Sequence, residues 1–135
     1  MSNADVIKAL YASFAKGDVP AVLAALDPQV RWSEAEGSIY AAGNPYVGPD
    51  AVLKGVFAPL VSEIEQFTVS PENYIDGGNS VAVEGRYTGT VKSTGTAVNA
   101  QFLHVWDVRN GKVVRFQQYT DTRQWAVAYG RVPTP

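Results

Sequence analysis

From Phe67 onward the chain changes character. The stretches FTVSPENYI, SVAVEGRYTGTV, TAVNAQFLHVWDVR and KVVRFQQYTDT are rich in Val, Tyr, Phe and Thr, with turn residues between them. Asp76-Gly77-Gly78-Asn79, Thr94-Gly95 and Asn110-Gly111 read as hairpin turns. Asn-Gly is the strongest of these, because a two-residue hairpin turn wants positive φ at both positions. Strands joined this tightly pair antiparallel. The half before them is helical. Ser2 or Asn3 can cap a first helix with a stripe of Val6, Ile7, Leu10, Tyr11 and Phe14. Gly17 ends it, and Asp18 caps a second helix with Val19, Val22, Leu23 and Leu26 inward. Asp27-Pro28 breaks that helix, and QVRWSE is a short strand. Gly37 to Gly48 is a glycine-rich loop, and Pro49-Asp50 opens a third helix to about Glu65, kinked or split by Pro59. A short helix from about Thr122 to Tyr129 and a proline-rich tail close the chain. Helices first and an antiparallel meander second give an α+β fold, with the helices packed on one face of the sheet.

The 135 residues suit one domain with a real core. A net charge of −2 and no basic run leave no electrostatic footprint for nucleic acid. With no cysteine there is neither a disulfide framework nor thiolate chemistry, and a single histidine rules out a multi-histidine metal site within the chain. No stretch approaches the ~20 apolar residues of a membrane span. The N-terminus lacks a basic segment followed by a long apolar one, so the expected location is cytoplasmic.

The lone histidine, His104, sits within the strongest β run, and Asp121 ends the next one. With Asn110-Gly111 as a two-residue turn, Arg109 pairs with Lys112. Trp106 then faces Arg115, His104 faces Gln117, Phe102 faces Tyr119, and Ala100 faces Asp121. With Thr94-Gly95 as a second such turn, Tyr87 lies beside Phe102 and Gly85 beside His104. One face then carries Val83, Gly85, Tyr87, Phe102, His104, Trp106, Gln117, Tyr119 and Asp121. Aromatics mixed with a few polar groups are the lining of a small-molecule cleft. The other face carries Glu84, Arg86, Thr88, Leu103, Val105, Val114, Phe116 and Gln118, a mixture suited to a second subunit.

LYASFAKGDVPAVLAALDPQVRW, GPDAVLKGVFAPL and FLHVWDVRNGKVVRFQQYTDT resemble the SnoaL-like branch of the NTF2-like superfamily, which is related to ketosteroid isomerase. The resemblance runs over about residues 4 to 128. It implies a cone: a strongly curved sheet, helices closing its concave side, an apolar pocket between them, and dimers through the convex face. It implies no metal or organic cofactor. In the SnoaL-like polyketide cyclases an aspartate after an aromatic-x pair on the last strand is the acid/base, and here YTD places Asp121 there. A histidine on the preceding strand matches His104, where the isomerase has a protonated aspartate that stabilises an oxyanion. The isomerase tyrosine falls nearest Leu10, with Tyr11 one step off, and its catalytic aspartate near Ser33, with Glu34 one step off.

Each candidate carries two readings. His104 is a proton carrier or carbonyl donor, or a buried histidine satisfied by a neighbour such as Gln117. Asp121 is a general base or acid in an apolar pocket, or the N-cap of the helix from Thr122. Glu34 is a second acid/base at the pocket mouth or a solvated strand-end charge. Trp32, Phe57, Tyr87, Phe102, Trp106, Tyr119 and Trp125 are pocket walls or plain core. Tyr40 and Tyr46 in the glycine-rich loop are lid residues. Three functions follow: a cofactor-free isomerase, cyclase or lyase moving a proton on a small hydrophobic carbonyl compound; a non-catalytic binder of such a molecule; or an interaction module using the convex sheet face.

Overall fold

A computed structural model describes residues 1–132. Residues 133–135 of the proline-rich tail lie outside the described residues. Helix α1 (Asn3–Ala15) starts on a capping box: the Ser2 hydroxyl accepts from Asp5 N–H, and the Asp5 carboxylate accepts from Ser2 N–H. Asp18 caps α2 (Val19–Ala24), whose last turn gives way to strand β1 (Leu26–Ser33). A loop with a 3-10 turn (Ala41–Gly43) leads to the two-residue strand β2 (Tyr46–Val47). Helix α3 (Pro49–Val52) continues through a π-helical stretch (Leu53–Phe57) into α4 (Ala58–Glu63). Pro59 is the cause of that wide turn, since it has no N–H to give the preceding turn and its ring crowds that turn's carbonyls. The helix therefore widens instead of breaking. The long strands β3 (Ile64–Asp76), β4 (Ser80–Val91), β5 (Ala97–Arg109) and β6 (Lys112–Thr120) follow, then α5 (Thr122–Ala128).

The six strands form one sheet in the order β2-β1-β6-β5-β4-β3. Only β1 and β6 pair in parallel. Register shifts in β3 after Glu65 and Pro71, and in the β5–β6 pair beside Val108, are points where the sheet bends. The helices and the curved face enclose the core, giving an α+β cone.

Two departures from simple register decide which side chains reach the interior. Between β4 and β5 the loop is Lys92–Gly95, four residues instead of two, with Val91 N–H donating to Thr96 O at 2.9 Å. Tyr87 consequently pairs with Ala100, Gly85 with Phe102 and Val83 with His104. A shift of two keeps every residue on its expected face. Gly85 therefore makes room for the Phe102 ring and the Ser70 carbonyl, both of which a Cβ would strike, and not for a ligand.

The Asn110-Gly111 turn has positive φ at both residues, as the sequence implies. Val113 pairs with Val108, but Arg115 pairs with Asp107, so Val114 is an extra residue. Everything beyond it slips by one. Trp106 faces Phe116, His104 faces Gln118, and Leu103 faces Tyr119. Gln117 and Tyr119 thus leave the interior, with Tyr119 52% exposed, while Phe116 and Gln118 enter it. The physical reason lies in Val113 and Phe116. Strict alternation would bury Arg115 and expose Phe116, whereas burying a Phe side chain contributes ~2–3 kcal/mol. The bulge keeps both apolar residues inside and lets Arg115 pair with Asp107 at the surface, 3.5 Å away.

Candidate functional site

The inner face presents a row of large apolar side chains, three of them aromatic. Val81, Trp106, Phe116 and Trp32 lie side by side on β4, β5, β6 and β1. Trp32 stacks on Phe116 with centroids 3.8 Å apart. Phe57 from the π stretch meets Trp32 edge-on, and Phe14 of α1 meets Phe57. Between this row, α1, α4 and α5 lies a chamber of about 60 Å³. Of the residues singled out from sequence, Trp32, Glu34, Tyr40, Phe57, Tyr87, His104 and Trp106 line it, as does Trp125. The chamber is smaller than the ~150 Å³ cavity that holds one benzene, so a ring-sized guest requires its walls to yield.

His104 lies at the inner end of the chamber, 4% exposed. Phe102 stacks beneath the imidazole at 3.9 Å and 11°, so it supports the site without lining it. Tyr11 Oη is 2.6 Å from Nδ1, and Tyr87 Oη makes a short contact with Nε2. Each phenol also accepts a bond: Tyr11 from the Trp106 indole N–H at 3.0 Å, Tyr87 from the Gln118 amide N–H at 2.9 Å. The orientation of the Gln118 amide follows from Ala35 N–H, which donates to its Oε1 at 3.1 Å. Burial drives the imidazole pKa down to about 3 and pushes both phenols well above their usual range. The imidazole is therefore neutral and both tyrosines are protonated at neutral pH.

A neutral imidazole carries one N–H and one lone pair, and two phenols add two protons. Two contacts consume two of these three protons, so one phenolic O–H is left over. With the proton on Nε2, Tyr11 donates to Nδ1, Nε2–H donates to Tyr87, and the Tyr87 proton is free. With the proton on Nδ1, the free proton belongs to Tyr11. Both phenols line the chamber, so either tautomer leaves a donor for a guest.

Glu34 completes the polar set. Its backbone is pinned by Asn44, whose Oδ1 accepts from Glu34 N–H at 2.9 Å and whose amide donates to Glu34 O at 2.7 Å. That clasp folds the loop over the carboxyl group, leaving Glu34 4% exposed. Burial raises its pKa to about 7, opposed by the Trp32 indole N–H, which donates to Oε2 at 2.9 Å. Its charge is near enough to raise the Tyr87 phenol further. A carboxyl group poised near neutrality can both accept and return a proton. Among the described residues no three His, Cys, Asp or Glu side chains cluster as a metal site would require.

Asp121 does not join this set. It is exposed at the N-cap of α5, where its carboxylate accepts from Gln124 N–H at 3.2 Å. The chamber shared by His104 and Asp121 that the sequence leads one to expect does not form, because the β6 bulge and the start of α5 turn Asp121 outward. Gln117 and Tyr119 leave for the same reason. Tyr46 lies behind the chamber, against Gly43 and Gly55, with its hydroxyl donating to Tyr40 O at 2.7 Å. Sequence reasoning missed Tyr11 and Gln118. Tyr11 carries two signals, a polar-tipped ring within an otherwise apolar helical stripe and a position one step from the isomerase tyrosine.

A second polar cluster adjoins the chamber at Tyr40. Tyr40 from the loop and Tyr129 at the end of α5 both donate to Glu63 Oε1 of α4, at 2.8 and 3.1 Å, and their hydroxyls touch each other.

A curved sheet with helices over its concave face and polar groups at the bottom of an apolar pocket defines the NTF2-like class. Residues 7–116 match the SnoaL-like domain, and the chain belongs to the SnoaL-like family. It is similar to an NTF2-like protein of Burkholderia thailandensis at 32% identity, covering 96% of this chain and 98% of that one, with a TM-score of 0.91. TerC, co-crystallised with polyporic acid, is 28% identical over 95% of this chain and 98% of its own, with a TM-score of 0.84. A protein of Catenulispora acidiphila with a ketosteroid isomerase-like fold, bound to trimethylamine, shares the fold at 18% identity, 96% and 97% coverage and a TM-score of 0.78. No curated protein matches the sequence. Among the described residues no helix is long and apolar enough to cross a membrane.

Proposed function

We propose that this protein is a cofactor-independent acid–base enzyme of the isomerase, cyclase or lyase type, acting on a small hydrophobic molecule that bears a carbonyl group. The observation that carries the reading is the surplus phenolic proton of the Tyr11–His104–Tyr87 chain, in one chamber with a carboxyl group whose pKa is raised to about 7. Glu34, ionised, takes the proton from the carbon beside the carbonyl, and the C–H electron pair moves into an enolate. The free phenol O–H donates to the enolate oxygen. Protonated Glu34 then returns the proton to carbon, at the same or a conjugated position. His104 stays neutral throughout and acts by setting which phenol is free, so it is a positioning residue. Asp121 has no part in this scheme. The TerC complex with polyporic acid supports a small-molecule ligand for the fold.

The test needs no natural substrate. Wild-type protein in D2O is expected to exchange the α-hydrogens of cyclopentanone, followed by proton NMR, faster than buffer alone. Glu34→Gln is expected to reduce that exchange ~10²–10⁴-fold, the usual contribution of a positioned base. Exchange at the buffer rate with cyclopentanone bound would leave the non-catalytic binder as the better reading.

We also propose that the convex face pairs with a second copy. Ala82, Leu103, Val105, Ile75 and Tyr119 form its apolar centre, framed by Glu84, Arg115 and Asp107. Sedimentation should show a dimer that Leu103→Lys with Tyr119→Lys splits into monomers; a wild-type monomer at tens of micromolar would overturn the pairing.

A further inference from the structure

The wall that closes the chamber has an outer side, and that side is built differently. Tyr40 lines the chamber, and its partners Tyr129 and Glu63 line a groove on the protein surface with Ser62, Ser93, Lys92 and Arg131. The Tyr40–Glu63–Tyr129 cluster therefore links the chamber wall to the groove wall. Lys92 and Arg131 have no carboxylate within ion-pair distance among the described residues. Lys92 is held in place by its backbone, whose N–H donates to Glu63 O at 2.9 Å, and Arg131 by its N–H to Ala126 O at 2.9 Å. Counting Glu63, the groove lining still carries one net positive charge. The segment between chamber and groove is bracketed by Gly37 and Gly48, both at positive φ, where a chain can pivot without side-chain strain.

We infer that this groove is an anion subsite for the ligand of the chamber: the guest carries a negatively charged arm, such as a carboxylate, that passes between Tyr40 and Tyr129 and lies against Lys92 and Arg131 while its ring and oxygen occupy the chamber. The inference rests on the chamber reading given above. It gives a role to two cations that have no ion-pair partner among the described residues and lie beside the chamber wall. It also makes the Tyr40–Glu63–Tyr129 cluster the contact the arm must part, since an acidic arm repels the Glu63 carboxylate and competes with it for the two phenols.

The probes are p-cresol, which has no arm, and ω-(4-hydroxyphenyl)alkanoic acids with two to four methylenes, each beside its neutral amide. Affinities are measured by calorimetry at low salt. At least one acid is expected to bind about tenfold tighter than its amide, as two partly exposed charge contacts would give. That advantage should shrink with added salt. It should also disappear in the double variant Lys92→Ala with Arg131→Ala, whose affinity for p-cresol and for the amides is unchanged. Acids no tighter than their amides, or an advantage that survives in the double variant, would overturn the subsite. Failure of p-cresol itself to bind would overturn the chamber reading, a separate outcome.

Discussion

The protein holds two clusters in which a titratable side chain lies between two tyrosines, and they behave oppositely. In the inner one, Tyr11 and Tyr87 flank the His104 imidazole. In the outer one, Tyr40 and Tyr129 flank the Glu63 carboxylate. An imidazole both donates and accepts, so the inner cluster has three protons for two contacts and keeps one to offer. A carboxylate only accepts, so the outer cluster turns both phenolic protons onto Glu63 or onto each other. Burial pushes Tyr40 far above its usual range and Tyr129 up to about 12, so neither phenol ionises. Geometry alone does not separate a chemical site from a clasp. The identity of the middle group does, together with the depth at which it lies.

The largest way to break the inner cluster is His104→Ala. It removes a buried ring and leaves two buried phenols short of a partner, and unfolding by urea should show a loss of ~3–5 kcal/mol. A loss under ~1 kcal/mol would mean that the chain of hydrogen bonds is incidental.

A second test uses pH, and its sign depends on two opposed groups. His104 is about 3 in the folded protein against 6.5 as a free side chain. Between those values the unfolded chain binds the extra proton, so stability falls as pH drops from 6.5 toward 3. Glu34 is about 7 folded against 4.5 free, so between those values the folded protein binds the extra proton and stability falls as pH rises. Between 4.5 and 6.5 the two slopes oppose each other. Glu34→Gln removes one of them. Relative to wild type, the variant should gain stability with rising pH across 4.5–7, reaching on the order of 3 kcal/mol above pH 7. Parallel stability–pH curves would contradict the burial of an ionisable Glu34.

Smaller effects separate the clusters. Tyr87→Phe should cost ~1–3 kcal/mol and weaken p-cresol binding, because it removes a buried hydroxyl that Gln118 and His104 both use. Tyr129→Phe should cost about 1 kcal/mol or less, leave p-cresol affinity nearly unchanged and speed amide hydrogen exchange in residues 35–45. Equal effects of the two on ligand affinity would erase the distinction between site and clasp. Asp121→Ala should cost about 1 kcal/mol, the value of a lost N-cap, and leave cyclopentanone exchange at the wild-type rate. A collapse of that exchange would restore Asp121 as the base.

The sequence carried the fold further than the site, for reasons visible in particular residues. Helical stripes, caps at Asp18 and the Asn110-Gly111 turn are local signals, and each is where local chemistry places it. Tyr87, Phe102, His104 and Trp106 kept their face because the β4–β5 loop is longer by two residues, and two is the period of a strand. Gln117, Tyr119 and Asp121 did not, because one bulged residue inverts a strand, and a bulge is settled by which apolar side chains the core gains. The clash of Arg115 inside with Phe116 outside was the clue. Glu34 reads as a strand-end charge until Asn44 folds the loop over it. Tyr11 lies 93 residues from His104, and no periodicity announces such a partnership.

The central claim is that the only histidine in the chain is a neutral ring between two protonated phenols, leaving one phenolic proton free. Nitrogen-15 NMR of ring-labelled histidine reads this directly, since a single residue gives the whole signal. One protonated and one unprotonated ring nitrogen are expected, unchanged from pH 8 down to about pH 4 while the protein stays folded. Two protonated nitrogens appearing near pH 6.5 in the folded protein would contradict it.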